Sequence, residues 1–109
     1  MRTIQLIELT KGGEVHNLSG HEKGAAARKQ FNLSALDSED QAVVVDIPEF
    51  VYTITPSFFQ GMFAESVRKF GDRDTFLNRY RFNADPVVLQ QIDHGIRASL
   101  VKRRPIFAE

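Results

Sequence analysis

The chain contains no cysteine and no tryptophan among its 109 residues. The lack of cysteine excludes disulfide bridges and thiolate metal ligands, and a small domain without disulfides is typical of a reducing compartment. No apolar run approaches the ~20 residues that a membrane helix needs, and residues 1–8 are too interrupted by polar side chains for a signal peptide. The sequence therefore predicts a cytoplasmic protein that does not insert into a membrane.

Neither sign of charge is in excess. Fourteen Lys and Arg residues balance fourteen Asp and Glu residues, so no global field attracts the protein to nucleic acid or to an anionic membrane. The three histidines, His16, His21 and His94, show no spacing that matches a metal signature on one helix face. The sequence thus indicates no metal site and no other cofactor.

The apolar content, by contrast, is substantial. Hydrophobic residues make up 42% of the chain and include nine phenylalanines, which favours a packed core over a disordered chain. A chain of this length is sufficient for one core. We expect a single domain over residues 1–109 with no internal repeat, in which residues 1–19 form a first strand and loop and residues 101–109 a peripheral tail.

Hydrophobic periodicity predicts alternating strands and helices. The expected strands cover residues 3–9, 42–47 and 75–82, with a short extension over residues 51–54, and the expected helices cover residues 21–31, 56–70 and 86–100. The strand over residues 42–47 contains a continuous β-branched run at residues 43–45, as is typical of a strand buried on both faces in the centre of a parallel sheet. The order is therefore β-α-β-α-β-α, an α/β fold with a mostly parallel or mixed sheet and helices packed on it.

Local signals mark the ends of these elements. Thr55 and Asp85 are expected to be N-cap residues, because each precedes a proline at the first helical position, and Gly71 stands where a helix C-cap is expected. The alanine run of the first helix indicates that its small face packs closely. Between this helix and the central strand, Leu33 and Leu36 are expected to anchor a polar segment to the core.

Sites in open α/β sheets lie where the carboxyl end of a strand leads into a helix N-terminus. The segment from Asp46 to Phe59 is the best candidate here. A helix N-terminus presents unpaired N–H groups and about half a positive charge, so a phosphate on Ser57 would be stabilised. Ordinary helix capping is the alternative explanation for these residues.

The run VVVD at residues 43–46 and the run VYTITPSFF at residues 51–59, with GAAAR at residues 24–28 and FNAD at residues 82–85, resemble the STAS-like domain family. This family is a small relative of the STAS domains of anti-sigma-factor antagonists and sulphate transporters. The resemblance spans residues 20–100 and implies a small STAS-like α/β domain.

The resemblance also implies a function. In the antagonist family, the loop after a strand carries Asp-Ser-Ser or a similar triplet. A partner ATPase of the histidine-kinase type phosphorylates a hydroxyl there, and phosphorylation breaks the complex. The implied protein is a non-enzymatic regulatory binding module with such an ATPase, or an anti-sigma-like protein, as partner. Thr55 takes the place of the family's Asp, Pro56 that of the first Ser and Ser57 that of the second, which makes Ser57 the candidate phosphorylation site.

The expected partner-binding surface surrounds this serine and continues along the exposed side of the following helix, where Ala64 is also expected. Its residues are Asp46, Thr55, Pro56, Ser57, Phe58, Gln60 and Arg68.

A nucleic-acid-binding strand is an alternative interpretation. Arg79 and Arg81 interleave with Tyr80 and Phe82, as on strands whose arginines meet phosphates and whose rings stack on bases. Together with the basic run at residues 102–104 they would form a patch. A solvated edge strand explains the same pattern, so nucleic acid is not the expected partner.

Catalysis has weaker support. Asp46 and Glu49 are close enough in sequence to be paired carboxylates, but a general acid needs a pocket that shifts its pKa, and no motif indicates one. No Gly-x-Ser-x-Gly elbow surrounds Ser57. The sequence therefore predicts no catalytic residues.

Overall fold

The computed structural model describes residues 2–101; of the expected tail, only Val101 lies within this range. The strands are β1 (Arg2–Gln5), β2 (Asn17–Leu18), β3 (Val43–Asp46), β4 (Thr53–Ile54) and β5 (Tyr80–Asn83). The helices are α1 (His21–Gln30), α2 (Leu33–Ser38), α3 (Pro56–Phe70), α4 (Arg73–Arg79) and α5 (Pro86–Leu100). These residues form an α/β fold, and none of their helices is long and apolar enough to cross a bilayer.

The strands form two small parallel sheets. One has the order β1-β3-β5, and β2 pairs with β4 in the other. The expected central position of β3 is confirmed, but burial on both of its faces is not. Val43 and Val45 are fully buried, whereas Val44 is half-buried and aligned with exposed Thr3 and Arg81 on the neighbouring strands. The core thus covers one face of this sheet.

The order of elements occurs twice. β1, β2, α1 and α2 are followed by β3, β4, α3 and α4 in the same sequence, after which β5 and α5 complete the described chain. The corresponding strands are neighbours, because β1 pairs with β3 and β2 pairs with β4, each in parallel, and α1 packs against α3. The structure therefore contains a repeat that the amino-acid sequence does not reveal.

Both expected proline-started helices are confirmed with their caps. The expected strand over residues 75–82 is wrong in its first part, because α4 occupies Arg73–Arg79. The Asp72 carboxylate accepts a hydrogen bond from the Thr75 N–H at 2.8 Å and starts this helix. Gly71, in the left-handed region with φ 89°, ends α3 immediately before it.

Three other boundaries differ from expectation. The first strand ends at Gln5, because Leu6–Leu9 form a 3-10 turn with Leu6 buried. The polar segment after α1 contains the helix α2, in which Leu33 and Leu36 are buried as expected. Residues 53–54 do not extend β3 but form β4 in the second sheet.

Helices α1 and α3 lie side by side and run parallel, with glycines at the closest approach. A Cβ atom on Gly24 would lie 2.1 Å from the Phe58 carbonyl oxygen, and one on Gly61 would lie 2.2 Å from the His21 carbonyl oxygen. Both distances are far below van der Waals contact, so only glycine is compatible with this spacing. The expected close packing of the first helix is confirmed.

Candidate partner-binding site

The N-terminus of α3 is held by its own cap and by two neighbouring elements. The Thr55 hydroxyl accepts a hydrogen bond from the Phe58 N–H at 3.2 Å, and Pro56 occupies the first turn. The Thr55 N–H donates to the Leu18 carbonyl of β2 at 2.9 Å, and the Ile54 N–H donates to the Gln91 side chain of α5 at 2.7 Å. The helix therefore begins at a fixed position.

Two residues of this fixed helix start face solvent. Pro56 and Ser57 are exposed, and the Ser57 hydroxyl lies 3.2 Å from the hydroxyl of Thr55. Within residues 2–101 that contact is the only hydrogen bond of the Ser57 side chain. The hydroxyl is thus accessible to a partner and to a modifying enzyme.

Removal of the cap should cost stability. Thr55→Ala is expected to lower the free energy of unfolding by about 1 kcal/mol, within the 0.5–2 kcal/mol typical of N-caps, measured by urea unfolding. Ser57→Ala is the matched control, since an exposed substitution is usually worth less than about 0.5 kcal/mol. Equal effects of the two substitutions would show that Thr55 does not act as the cap.

A groove lies between α1 and α3, and its lining on α3 begins at Gln60, three residues after Ser57. It has a volume of about 470 Å³, and Gln60 and Arg68, both expected at the partner surface, line it. Residues 57, 61, 64 and 68 are three or four positions apart and so share one face of α3. Because β2 and β4 are parallel, α1 also begins at this end, with His21 lining the groove. We call this feature the α1/α3 groove.

Two residues expected at the partner surface are buried. Phe58 is only 3% exposed and belongs to the hydrophobic core, so its side chain cannot contact a partner and that prediction is wrong. Ala64 is 6% exposed because α1 and α2 pack against this side of α3. It contributes to the wall of the α1/α3 groove rather than to an open helix face.

Asp46 lies at the end of β3, in the sheet formed by β1, β3 and β5. Its carboxylate accepts hydrogen bonds from the Gln5 side chain at 3.1 Å and from the Asn83 side chain at 3.0 Å, in a row across β1, β3 and β5. It lines a separate cavity together with Glu49. The segment from Asp46 to Phe59 is therefore not a single strand-to-helix junction, because the chain forms β4 of the second sheet between β3 and α3.

Sequence reasoning missed a buried polar cluster beneath the groove. The Arg28 guanidinium, whose side chain is 9% exposed, donates to the Asp37 carboxylate and to the Ser66 hydroxyl, both at 2.8 Å. It also donates to the Met62 carbonyl at 2.9 Å. Ser66 and Tyr80 donate to Asp37 in turn, the latter at 2.6 Å. We call Arg28, Asp37, Ser66 and Tyr80 the buried cluster.

Every member of the buried cluster has a partner. Burial, together with the hydrogen bond to the Asp37 carboxylate, raises the pKa of Tyr80 above its ordinary value, so the phenol stays protonated and donates. Asp37 thereby joins α2 to α1, α3 and β5. The only sequence signal for the buried cluster was Arg28, the arginine that ends the GAAAR run.

Comparisons with protein-family models, with curated proteins and with solved structures find no match. Within residues 2–101, no group of three or more His, Asp or Glu side chains is placed to hold a metal ion.

The expected basic and aromatic strand does not form as predicted. Arg79 belongs to α4, where its guanidinium donates to the Leu36 carbonyl at 3.1 Å and lies 5.0 Å from the centre of the Phe70 ring. Tyr80 is fully buried, so its ring cannot stack on a base. Of Arg79 and Arg81, only Arg81 belongs to β5, where it is exposed; residues 102–104 lie outside the described range.

Proposed function

We propose that this protein is a non-enzymatic regulatory binding module of the STAS-like kind, acting in the cytoplasm through the N-terminus of α3. The observation that carries the proposal is the exposed Ser57 hydroxyl on a helix start that β2 and α5 hold in place. A rigid surface loses little conformational entropy on association, which favours affinity. The resemblance of residues 43–59 to STAS-like domains supports a histidine-kinase-type ATPase as the partner.

Ser57 is the candidate phosphorylation site of this module. A phosphate there would add about −1.5 to −2 charge beside the unpaired N–H groups of the first helical turn. The helix would tolerate the modification, because anions are stabilised at this end. The partner would meet a new double charge in the contact surface, so phosphorylation is a means of releasing it.

The test is affinity capture from a lysate of the native host with wild type, Ser57→Asp and Ser57→Ala proteins. We expect wild type and Ser57→Ala to retain the same ATPase and Ser57→Asp to lose most of it, because a negative charge at this position opposes the contact. Capture of the same proteins by all three would contradict a switch at Ser57.

Intact-mass spectrometry of protein from its host tests the modification itself. A species heavier by one phosphate is expected, with the phosphate mapped to Ser57 by peptide fragmentation. An unmodified mass under several growth conditions would contradict phosphorylation while leaving the binding result standing.

A further inference from the structure

We propose that the α1/α3 groove receives an acidic segment of the partner protein, with the carboxylates of that segment paired with Lys29 and Arg68. This inference rests on the proposed function, since it names the chemistry of the partner at the surface that begins at Ser57. Its support comes from the charge, the shape and the preorganisation of the groove.

The groove carries cations that the protein itself does not neutralise. Lys29 and Arg68 both line it and are exposed, and neither takes part in an ion pair within the described part of the chain. Among residues 2–101, Glu65 is the only acidic residue in the lining, and its carboxylate is 3.7 Å from the Arg28 guanidinium. The free charge of the groove is therefore positive in a protein with no net charge.

The walls of the groove allow another chain to approach closely. Ala25 and Ala64 line it, and side chains this small leave room for the backbone of a bound segment, whereas the space beside Gly61 is filled by α1. Asn32, Ser34 and Gln60 are polar lining residues that can bond to the peptide groups of such a segment. The site therefore combines backbone recognition with two cations for acidic side chains.

The buried cluster holds the groove in shape before a partner binds. Arg28 lines the groove while its guanidinium is tied to α2 through Asp37 and to α3 through Ser66 and the Met62 carbonyl. The two helices that carry Lys29 and Arg68 are thus cross-linked below the surface. A preorganised site needs less ordering on association.

An acidic occupant also explains why phosphorylation of Ser57 would release the partner. Ser57 lies on the same helix face as Gly61, Ala64 and Arg68, so a phosphate there would stand at one end of the groove. The added charge would repel the acidic segment where that segment passes the N-terminus of α3. Phosphorylation would accordingly release the partner rather than recruit it.

The experiment is an NMR titration of the purified protein with a hexaglutamate peptide at low salt. We expect shifts concentrated in amides of α1 and α3 that line the groove, and binding that weakens as salt is added. The double variant Lys29→Glu/Arg68→Glu should bind about tenfold or more weakly, because two attractive pairs become repulsive. Both positions are exposed, so the variant is expected to fold.

Lys23→Glu is the matched control. Lys23 is an exposed cation of α1 outside the groove lining, and its reversal should change the affinity by less than about twofold. Equal weakening by Lys23→Glu, or the absence of shifts in the groove, would overturn the proposal. So would tighter binding of a thymidine oligonucleotide in the same groove, which would identify nucleic acid as the occupant.

This titration can fail independently of the proposed function. It uses a purified protein with unmodified Ser57, whereas the capture experiment varies Ser57 and leaves Lys29 and Arg68 intact. A negative titration with selective capture would place the partner at the helix start alone. A positive titration without capture of an ATPase would support the acidic ligand of the groove and would contradict the ATPase as the partner.

Discussion

Asp37→Ala is expected to destabilise the protein by about 3–5 kcal/mol, the range found when one partner of a buried ion pair is removed. The substitution takes away the buried carboxylate that accepts from the Arg28 guanidinium and leaves this guanidinium only the exposed Glu65 carboxylate, at 3.7 Å. It also removes the hydrogen-bond acceptor of Tyr80 and of Ser66. Urea unfolding monitored by circular dichroism measures the loss.

Two variants show whether the cause is the stranded charge. Asp40→Ala alters an exposed carboxylate nearby and should change the stability by less than about 0.5 kcal/mol. Arg28→Met/Asp37→Leu removes both charges and should cost less than Asp37→Ala alone, because an apolar pair of similar volume replaces a buried ion pair at little cost. Additive losses from the two positions would contradict a coupled pair.

The elements that sequence predicted well are those with local signals. α3 and α5 each have a cap residue, a proline in the first turn and an apolar stripe, and their bounds match expectation. The strand predicted over residues 75–82 was wrong in its first part because Phe76 and Tyr80 are four residues apart, a spacing that suits both strand alternation and one helical turn. The strands β2 and β4 are two residues long, too short for any periodicity.

In the candidate site, too, the residues that were predicted correctly are those with local sequence signals. Thr55 and Ser57 were located correctly at the helix start because capping depends on neighbours in sequence. Phe58 was misassigned, since the face that a helix turns inward depends on which elements pack around it. The buried cluster joins residues 9, 29 and 43 positions apart, and a single sequence contains no signal that pairs them.

Gly24→Ala and Gly61→Ala should each destabilise the protein by about 1–3 kcal/mol, the typical cost of overpacking. The added methyl group would meet a backbone carbonyl of the facing helix at 2.1 or 2.2 Å, and a carbonyl within a helix cannot move without its neighbours. α1 and α3 must therefore separate. Urea unfolding should reveal the loss, although alanine has the higher helix propensity by about 1 kcal/mol.

Ala26→Gly separates these two effects. Ala26 is exposed on α1, so its replacement should cost about 1 kcal/mol from propensity alone and identify the gain that alanine offers at an open position. The double variant Gly24→Ala/Gly61→Ala should cost less than the sum, because helices already separated by one methyl group accommodate the second. A wider spacing would also move Lys29 away from Arg68, so weaker hexaglutamate binding by the folded single variants would tie the glycine contact to the groove. Stabilisation by Gly24→Ala or Gly61→Ala would contradict the close approach of the two helices.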